Sequence, residues 1–403
     1  MWFKLKSAIK LVGSEVGVQP GSPLSAVWTF PSVIFTAMVI GWAAEVSQYV
    51  MSQGMALAIL AWLQTLPEYA VEAVIAWHGD VNLMTANFTG SLRLLVGLGW
   101  PLIYTTAAIS HRYKYKKPLK EIRLAPEHCV EVMGLFVPIL YFIVIYFKAS
   151  LTVPDGIVLF TLYIVYIILL SRLPAEEEPP PEEQPLVPRR ILAMKPTLRN
   201  MTIIAMFTGG ATGLYFIVNP FLSSMLGVAT VLGVSHFVFV QWVAPFLSEF
   251  PEKVTAFYWA KRINTAPMAV MNMVSSNINQ WTMLAGMIPI VYSISFKRIL
   301  YVPFDEYHQM EILLTIAQSL LGFIFLTDLK LRWYEAMGLF TLWLVQFVMT
   351  HWREEITVIY LAWVLVEIIL VLARKRTMTA FPTFVKLIKE VNTGKVEKGI
   401  KKN

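Results

Sequence analysis

Charge is scarce in this chain: 15% of its 403 residues are Asp, Glu, Lys or Arg, against about a quarter in an ordinary soluble domain. With 57% hydrophobic residues and thirteen tryptophans, that shortage excludes a soluble globular protein and predicts a polytopic one with lipid as its main solvent. Cysteine is nearly absent, and Cys129 alone excludes an internal disulfide or a cysteine metal cluster. No catalytic triad, phosphate loop or His-Glu-x-x-His zinc motif appears, which disfavours an enzyme. The opening MWFKLKSAIKLVGSEVGVQPGSP has basic residues but no apolar run ending in a small-residue cleavage site, so it does not read as a signal peptide.

What the chain does contain is long apolar runs. A helix needs about 20 such residues to cross the hydrocarbon of a bilayer. Eleven candidate spans follow, at 26–47, 50–78, 84–108, 128–148, 154–172, 201–219, 222–260, 268–296, 309–328, 333–350 and 355–373. Two of them, 50–78 and 222–260, are too long for one straight crossing, and each carries a proline beside a glutamate, so both are expected to be broken helices. Lysine and arginine are distributed 24 against seven between the two sides, with Arg93 and Lys253 inside spans. This bias predicts a cell-membrane protein with the N-terminus outside and the C-terminus cytoplasmic.

The stretch RLPAEEEPPPEEQPLVPRR has a proline run, five glutamates and no apolar face. It reads as a solvated linker, 173–200, between two transmembrane halves, 26–172 and 201–350. An N-terminal segment, 1–25, precedes them; an additional span, 351–376, and a basic tail, 377–403, follow. The tail is partly amphipathic and suits either anionic lipid or plain solvation.

The two halves share a repeat. The first reads TLPEYAVEAVIAWHGDVNLMTANFTGSLRLL, within about 60–100, and the second EFPEKVTAFYWAKRINTAPMAVMNMVSSNINQW, within about 244–289. Each has Pro-Glu, then eighteen or nineteen residues, then Asn, two residues, a small residue and Ser. Five spans separate the copies, and an odd offset makes them enter the membrane from opposite sides, as inverted repeats of secondary transporters do. The fold class expected is therefore an all-α integral membrane protein of two inverted five-helix halves with broken site helices, plus an extra C-terminal span.

The spacing sets a depth. Glu68 and Ser91 each stand about 11 residues from the turn HGDV, roughly 17 Å along a helix; Glu252 and Ser276 bracket Asn264 in the same way. Four polar groups converge near the membrane middle. A carboxylate there costs several kcal/mol unless paired, hydrated or protonated, and marks a functional site. Pro67 and Pro251 each remove a backbone donor and free a carbonyl about four residues earlier, near Leu63 and Leu247. The candidate ligands, Glu68, Glu252, Thr65, Ser91, Ser276, Asn87 and Asn272, are oxygen-bearing, which suits hard cations such as Ca²⁺ or Na⁺ and not zinc or copper.

These segments resemble the alpha-repeats of the sodium/calcium exchanger family, whose hallmark is roughly Gly-Thr-Ser-x-Pro-Glu followed by Gly-Asn-x-x-Gly-Ser-Asn. The resemblance implies a midplane ion site in five-plus-five inverted topology. Glu68 and Glu252 become the central carboxylates, Thr65, Ser91 and Ser276 the hydroxyl positions, and Asn87 and Asn272 the repeat asparagines. The chain departs from the pattern at LQT and LSE, which places Glu249 where a serine is usual, at Leu95 and Gln280 four residues past the repeat serines, and at Arg93. These departures favour proton coupling, another monovalent ion or a different divalent cation over sodium-coupled calcium exchange. In a poorly hydrated cavity Glu249 and Glu252 do not both ionise cheaply, so one is expected to carry a proton until a cation arrives.

The expected function is cation antiport by alternating access, Ca²⁺ being the first candidate cargo and Na⁺ or H⁺ the counter-ion, with no resident cofactor. The expected partners are the bilayer and inorganic cations, and not nucleic acid. A non-transporting scaffold or sensor with a degenerate site is the rival reading, and an intramembrane hydrolase with a carboxylate pair a third. Glu72, one turn from Glu68, reads equally as a ligand on the approach path or a solvated residue. Lys253 is expected to neutralise Glu249 and Arg93 to pair with an embedded glutamate. Glu45, Glu335 and Glu367 are expected to pair or snorkel, and His236 to pack with one hydrogen bond.

Overall fold

The structure, a computed structural model, describes residues 17–49, 65–172, 184–262 and 264–392. The first part of the predicted 50–78 span, Leu63, the Pro/Glu run of the linker and the last tail residues lie outside them.

Among the described residues, seven helices are long and apolar enough to cross a membrane. In chain order, α1 spans Ala26–Gln48, α2 Leu66–His78, α3 Val81–Leu94 and α4 Trp100–Tyr115, with a π-helical turn at Leu95–Gly99 joining the last two. A strand β1 (Glu121–Arg123), helix α5 (Cys129–Lys148), strand β2 (Ser150–Leu151) and helix α6 (Val153–Ser171) complete the first half. After a short helix α7 (Leu186–Leu192), the second half runs α8 (Pro196–Leu232), α9 (His236–Ser248), α10 (Phe250–Ala260) and α11 (Ala266–Asn279). It continues through a second π-helical turn, Gln280–Leu284, into α12 (Ala285–Ser295), β3 (Val302–Pro303), α13 (Glu306–Leu326), β4 (Lys330–Arg332) and α14 (Trp333–Val348). Helix α15 (Arg353–Leu372) is the extra span, and α16 (Ala380–Asn392) lies in the tail.

One predicted boundary moves. Residues 222–232 do not begin the broken span; they end the 37-residue helix α8. Gly233 closes that helix in the left-handed region at φ 66°, and the Ser235 hydroxyl caps α9 by accepting from Val238 N at 3.2 Å. The broken span is 236–260, with its break at Glu249.

The repeat is visible in how contacts are exchanged, consistent with the expected inversion. Helix α2 packs on α12 and α10 on α4; α3 packs on α13 and α11 on α5; α6 packs on α12 and α14 on α4. The strands obey the same exchange, β1 pairing antiparallel with β4 and β2 with β3. Each half thus completes its core with the other. Helices α1 and α8, equivalent to one another, lie side by side, with Thr29 and Ser224 hydrogen-bonded at 2.8 Å. Where α3 crosses α9 the backbones nearly touch: a Cβ on Gly90 would stand 1.9 Å from the Gln241 carbonyl oxygen.

Helix α16 puts Phe381 in an aromatic cluster with Phe136 of α5 and Phe323 of α13, and Phe384 among Met133, Pro138 and Leu162. Its apolar face is covered by the helical body, while Lys386 stays largely exposed.

Candidate functional site

The second site helix starts at the predicted break, at Glu249, and the first starts at Leu66, beside its proline. Thr65 precedes α2 with φ −91° and ψ 0°, and Glu249 precedes α10 with φ −94° and ψ 8°. Proline follows two residues later in each, Pro67 and Pro251, where its missing N–H costs nothing because first-turn donors have no intrahelical partner. Glu68 and Glu252 therefore sit in the first turn of their helices, where the positive end of the helix dipole favours a carboxylate. The turn between α2 and α3 falls at His78–Val81, as the HGDV spacing predicts, with Gly79 at φ 72° and Asp80 capping α3.

Glu68, Glu249, Glu252 and Gln280 are each no more than 2% exposed. One amide nitrogen, Gln280 Nε2, donates to Glu68 Oε2 and to Glu249 Oε1, at 2.8 Å each. The Ser91 hydroxyl donates to Glu249 Oε1, and the Ser276 hydroxyl to Glu252 Oε1. Lys253 Nζ holds Glu249 Oε2 at 2.6 Å. Thr65 Oγ1 accepts from Asn279 Nδ2 at 2.6 Å, and Tyr69 OH donates to Asn279 Oδ1 at 2.5 Å.

Seven predicted residues are buried together: Glu68, Ser91, Glu249 and Gln280 in one hydrogen-bonded network, with the bonded pair Glu252–Ser276 and Thr65, bonded to Asn279, beside it. The two asparagines stand apart from it. Asn87 donates to Glu72 Oε2 at 2.7 Å, one turn from Ser91, and Asn272 is half-buried with its amide nitrogen unpartnered. Asn279 and Tyr69 were not legible as members; the polar run SSNINQ was the available signal.

Three oxygens among these seven residues make no hydrogen bond: Glu68 Oε1, Glu252 Oε2 and Gln280 Oε1. Buried carboxylate oxygens without donors are costly. An oxygen-only set of this kind fits a hard cation of the Ca²⁺ type, while no group of three or more His, Cys, Asp or Glu residues suited to a metal occurs among the described residues. The fit is to a cation bound by mixed carboxylate, hydroxyl and amide oxygens, with few charges.

Other embedded charges pair, although Glu45, expected to pair or snorkel, is buried and accepts only from a hydroxyl. Arg93 holds Glu311 Oε2 at 2.6 Å, and Arg353 takes the other oxygen of the same carboxylate. Gln241 Nε2 donates to Glu311 Oε2 at 2.8 Å, and Gln346 accepts from Arg93 at 3.1 Å. This second buried network ties α3, α9, α13, α14 and α15 together. Glu45 accepts from Thr255, Glu335 and Glu367 pair with Arg376, and His236 meets Thr230 at 2.9 Å.

Two interlocked repeat halves whose helices meet at a buried cluster of oxygens define a multi-span membrane protein. The chain belongs to the sodium/calcium exchanger protein family, whose model matches residues 24–172 and 202–352. It is similar to a solved H⁺/Ca²⁺ exchanger CAX, with 32% identity over 93% of this chain and 92% of that one and a TM-score of 0.83. It also shares the fold of the sodium-calcium exchanger NCX_Mj soaked with 100 mM Na⁺ and 10 mM Sr²⁺, at 18% identity over 81% of this chain and 99% of that chain, TM-score 0.55. The same exchanger soaked with 2.5 mM Na⁺ and 0.1 mM Ca²⁺ gives 17% identity, 82% and 99% coverage and a TM-score of 0.53. No curated protein sequence matches the chain.

Proposed function

We propose that this chain is an antiporter that exchanges Ca²⁺ for protons by alternating access in the cell membrane. The carrying observation is the pair of buried, donor-free oxygens, Glu68 Oε1 and Glu252 Oε2, one from each inverted repeat. A divalent cation between two first-turn carboxylates neutralises both; when it leaves, a proton on each relieves the same charge, so one pair serves both ions in turn. Likeness to an H⁺/Ca²⁺ exchanger over nearly the whole chain supports this choice of ions.

Ca²⁺ polarises its ligands without forming covalent intermediates, so the chain's own work is positioning. Ser276 orients Glu252, while Gln280 and Ser91 orient Glu68 and Glu249. Rocking of the repeats against each other then opens the site to either side.

The test is ⁴⁵Ca²⁺ uptake into proteoliposomes under imposed H⁺ or Na⁺ gradients. Uptake driven by a pH gradient and lost in Glu68→Gln and Glu252→Gln supports the reading; uptake driven only by Na⁺ replaces the counter-ion. No cation movement in any gradient turns the reading to a scaffold or sensor.

A further inference from the structure

Resting on the exchange site proposed above, we propose that the Lys253 ammonium is a built-in monovalent cation of that site. It is held on Glu249 where a free cation would otherwise be bound, so the exchangeable charge is carried by Glu68 and Glu252 alone. The pseudo-symmetry raises the question. Thr65 and Glu249 occupy equivalent places, three residues before the repeat glutamates, with nearly the same backbone angles. One side has a neutral hydroxyl and the other a third carboxylate. A third negative charge at this depth, within the field of both Glu68 and Glu252, demands a counter-charge.

The chain supplies that charge from one turn along the same helix. Lys253 Nζ sits 2.6 Å from Glu249 Oε2, and both side chains are almost fully buried. The other oxygen of Glu249 is occupied by Ser91 and Gln280. Glu249 is thus saturated by three donors, whereas Glu68 and Glu252 each keep one bare oxygen. Of Glu68, Glu249 and Glu252, the ammonium neutralises Glu249 and leaves two negative charges for one divalent cation, while the buried Glu72, one turn from Glu68, accepts from Asn87. An ammonium tethered by helix geometry cannot leave with the cargo, so the subsite on Glu249 is closed to Na⁺ and other monovalent ions. Glu249 then acts as a positioning residue that, through Gln280, shares a donor with Glu68.

The experiment measures saturable ²²Na⁺ binding, and displacement of ⁴⁵Ca²⁺ by Na⁺ relative to choline, on the purified full chain in detergent. Wild type and Lys253→Arg bind no ²²Na⁺. Lys253→Gln uncovers Glu249 and binds ²²Na⁺ saturably, and Na⁺ then weakens its Ca²⁺ binding about tenfold more than choline does. Glu249→Gln leaves the ammonium free to fall on Glu252 and weakens Ca²⁺ binding by about tenfold; adding Lys253→Gln to it restores most of that loss and abolishes ²²Na⁺ binding. Folded Lys253→Gln that binds no ²²Na⁺ overturns the proposal, as does a double variant no better than Glu249→Gln. If Lys253→Gln does not fold, the comparison of Glu249→Gln with the double variant decides. If wild type binds no Ca²⁺, the calcium reading fails while the ²²Na⁺ comparison still decides this one.

Discussion

Gln280, at the start of the π-helical turn in the second repeat, reaches Glu68 of the first repeat at 2.8 Å. Its equivalent in the first repeat is Leu95, which opens the other π-helical turn and has nothing to donate. The two halves therefore share a scaffold but not a ligand set, and this amide bond from Gln280 has no counterpart donated by Leu95. Such turns widen a helix and commonly mark functional sites. Here one of them aims an amide at two carboxylates.

Gln280→Leu makes the two repeats alike at this position. A hydrogen bond to a charged group contributes about 1.5–3 kcal/mol, so Ca²⁺ binding is expected to weaken by about ten- to a hundredfold, read from ⁴⁵Ca²⁺ isotherms on the purified protein. Unchanged affinity would mean that Gln280 is packing and not positioning.

Glu68→Asp and Glu252→Asp keep the charge and withdraw the carboxylate by one methylene, about 1.5 Å. Both are expected to bind Ca²⁺ at least about tenfold more weakly, while thermal unfolding midpoints stay within a few degrees of wild type. Loss of folding in either would assign that carboxylate a structural role. Equal losses in the two variants are expected, since the residues occupy equivalent first-turn places.

The Pro-Glu pairs were legible because a proline beside a glutamate in an apolar run has few other uses, and because the motif occurs twice. The break at Glu249, the intervening turn and the burial of Glu68 and Glu252 followed from that spacing. The boundary between α8 and α9 was hidden because Gly233 and Ser235 lie in continuous apolar sequence, so hydropathy alone joined what a left-handed glycine and a serine cap divide. Glu311 and Arg353 escaped for a different reason. Arg93 meets Glu311 across 218 residues, and no local pattern links positions that only the packed fold brings together.

The Arg93, Glu311 and Arg353 cluster carries one carboxylate for two guanidiniums, supported by cation–π contacts from Arg93 to Trp242 at 5.4 Å and from Arg353 to Phe237 at 5.6 Å. Removing the shared anion leaves two buried cations facing each other. Glu311→Gln is expected to destabilise by about 3–5 kcal/mol, read as a fall in the thermal midpoint in detergent. Arg353→Gln leaves a balanced Arg93–Glu311 pair and should cost less. The reverse order would show that Arg353 anchors α15 mainly through packing.

Helix crossing sets the last expectation. Gly90 lies one residue before Ser91, at the closest approach of α3 to α9, and any added Cβ would meet backbone, the Gln241 carbonyl. Backbone cannot swing aside as a flexible side chain can, so Gly90→Ala must push the two helices apart. Overpacking of this kind costs typically 1–3 kcal/mol, and the shift also carries Ser91 away from Glu249 and Gln241 away from Glu311. Gly90→Ala is therefore expected to lower both the thermal midpoint and Ca²⁺ affinity. Gly209 on α8 is the control, because a Cβ there meets nothing within 4 Å. Gly209→Ala should stabilise by up to about 1 kcal/mol, the helix-propensity difference between the two residues, without touching Ca²⁺ binding. If both substitutions behaved alike, the α3–α9 crossing would not be a constraint on the site.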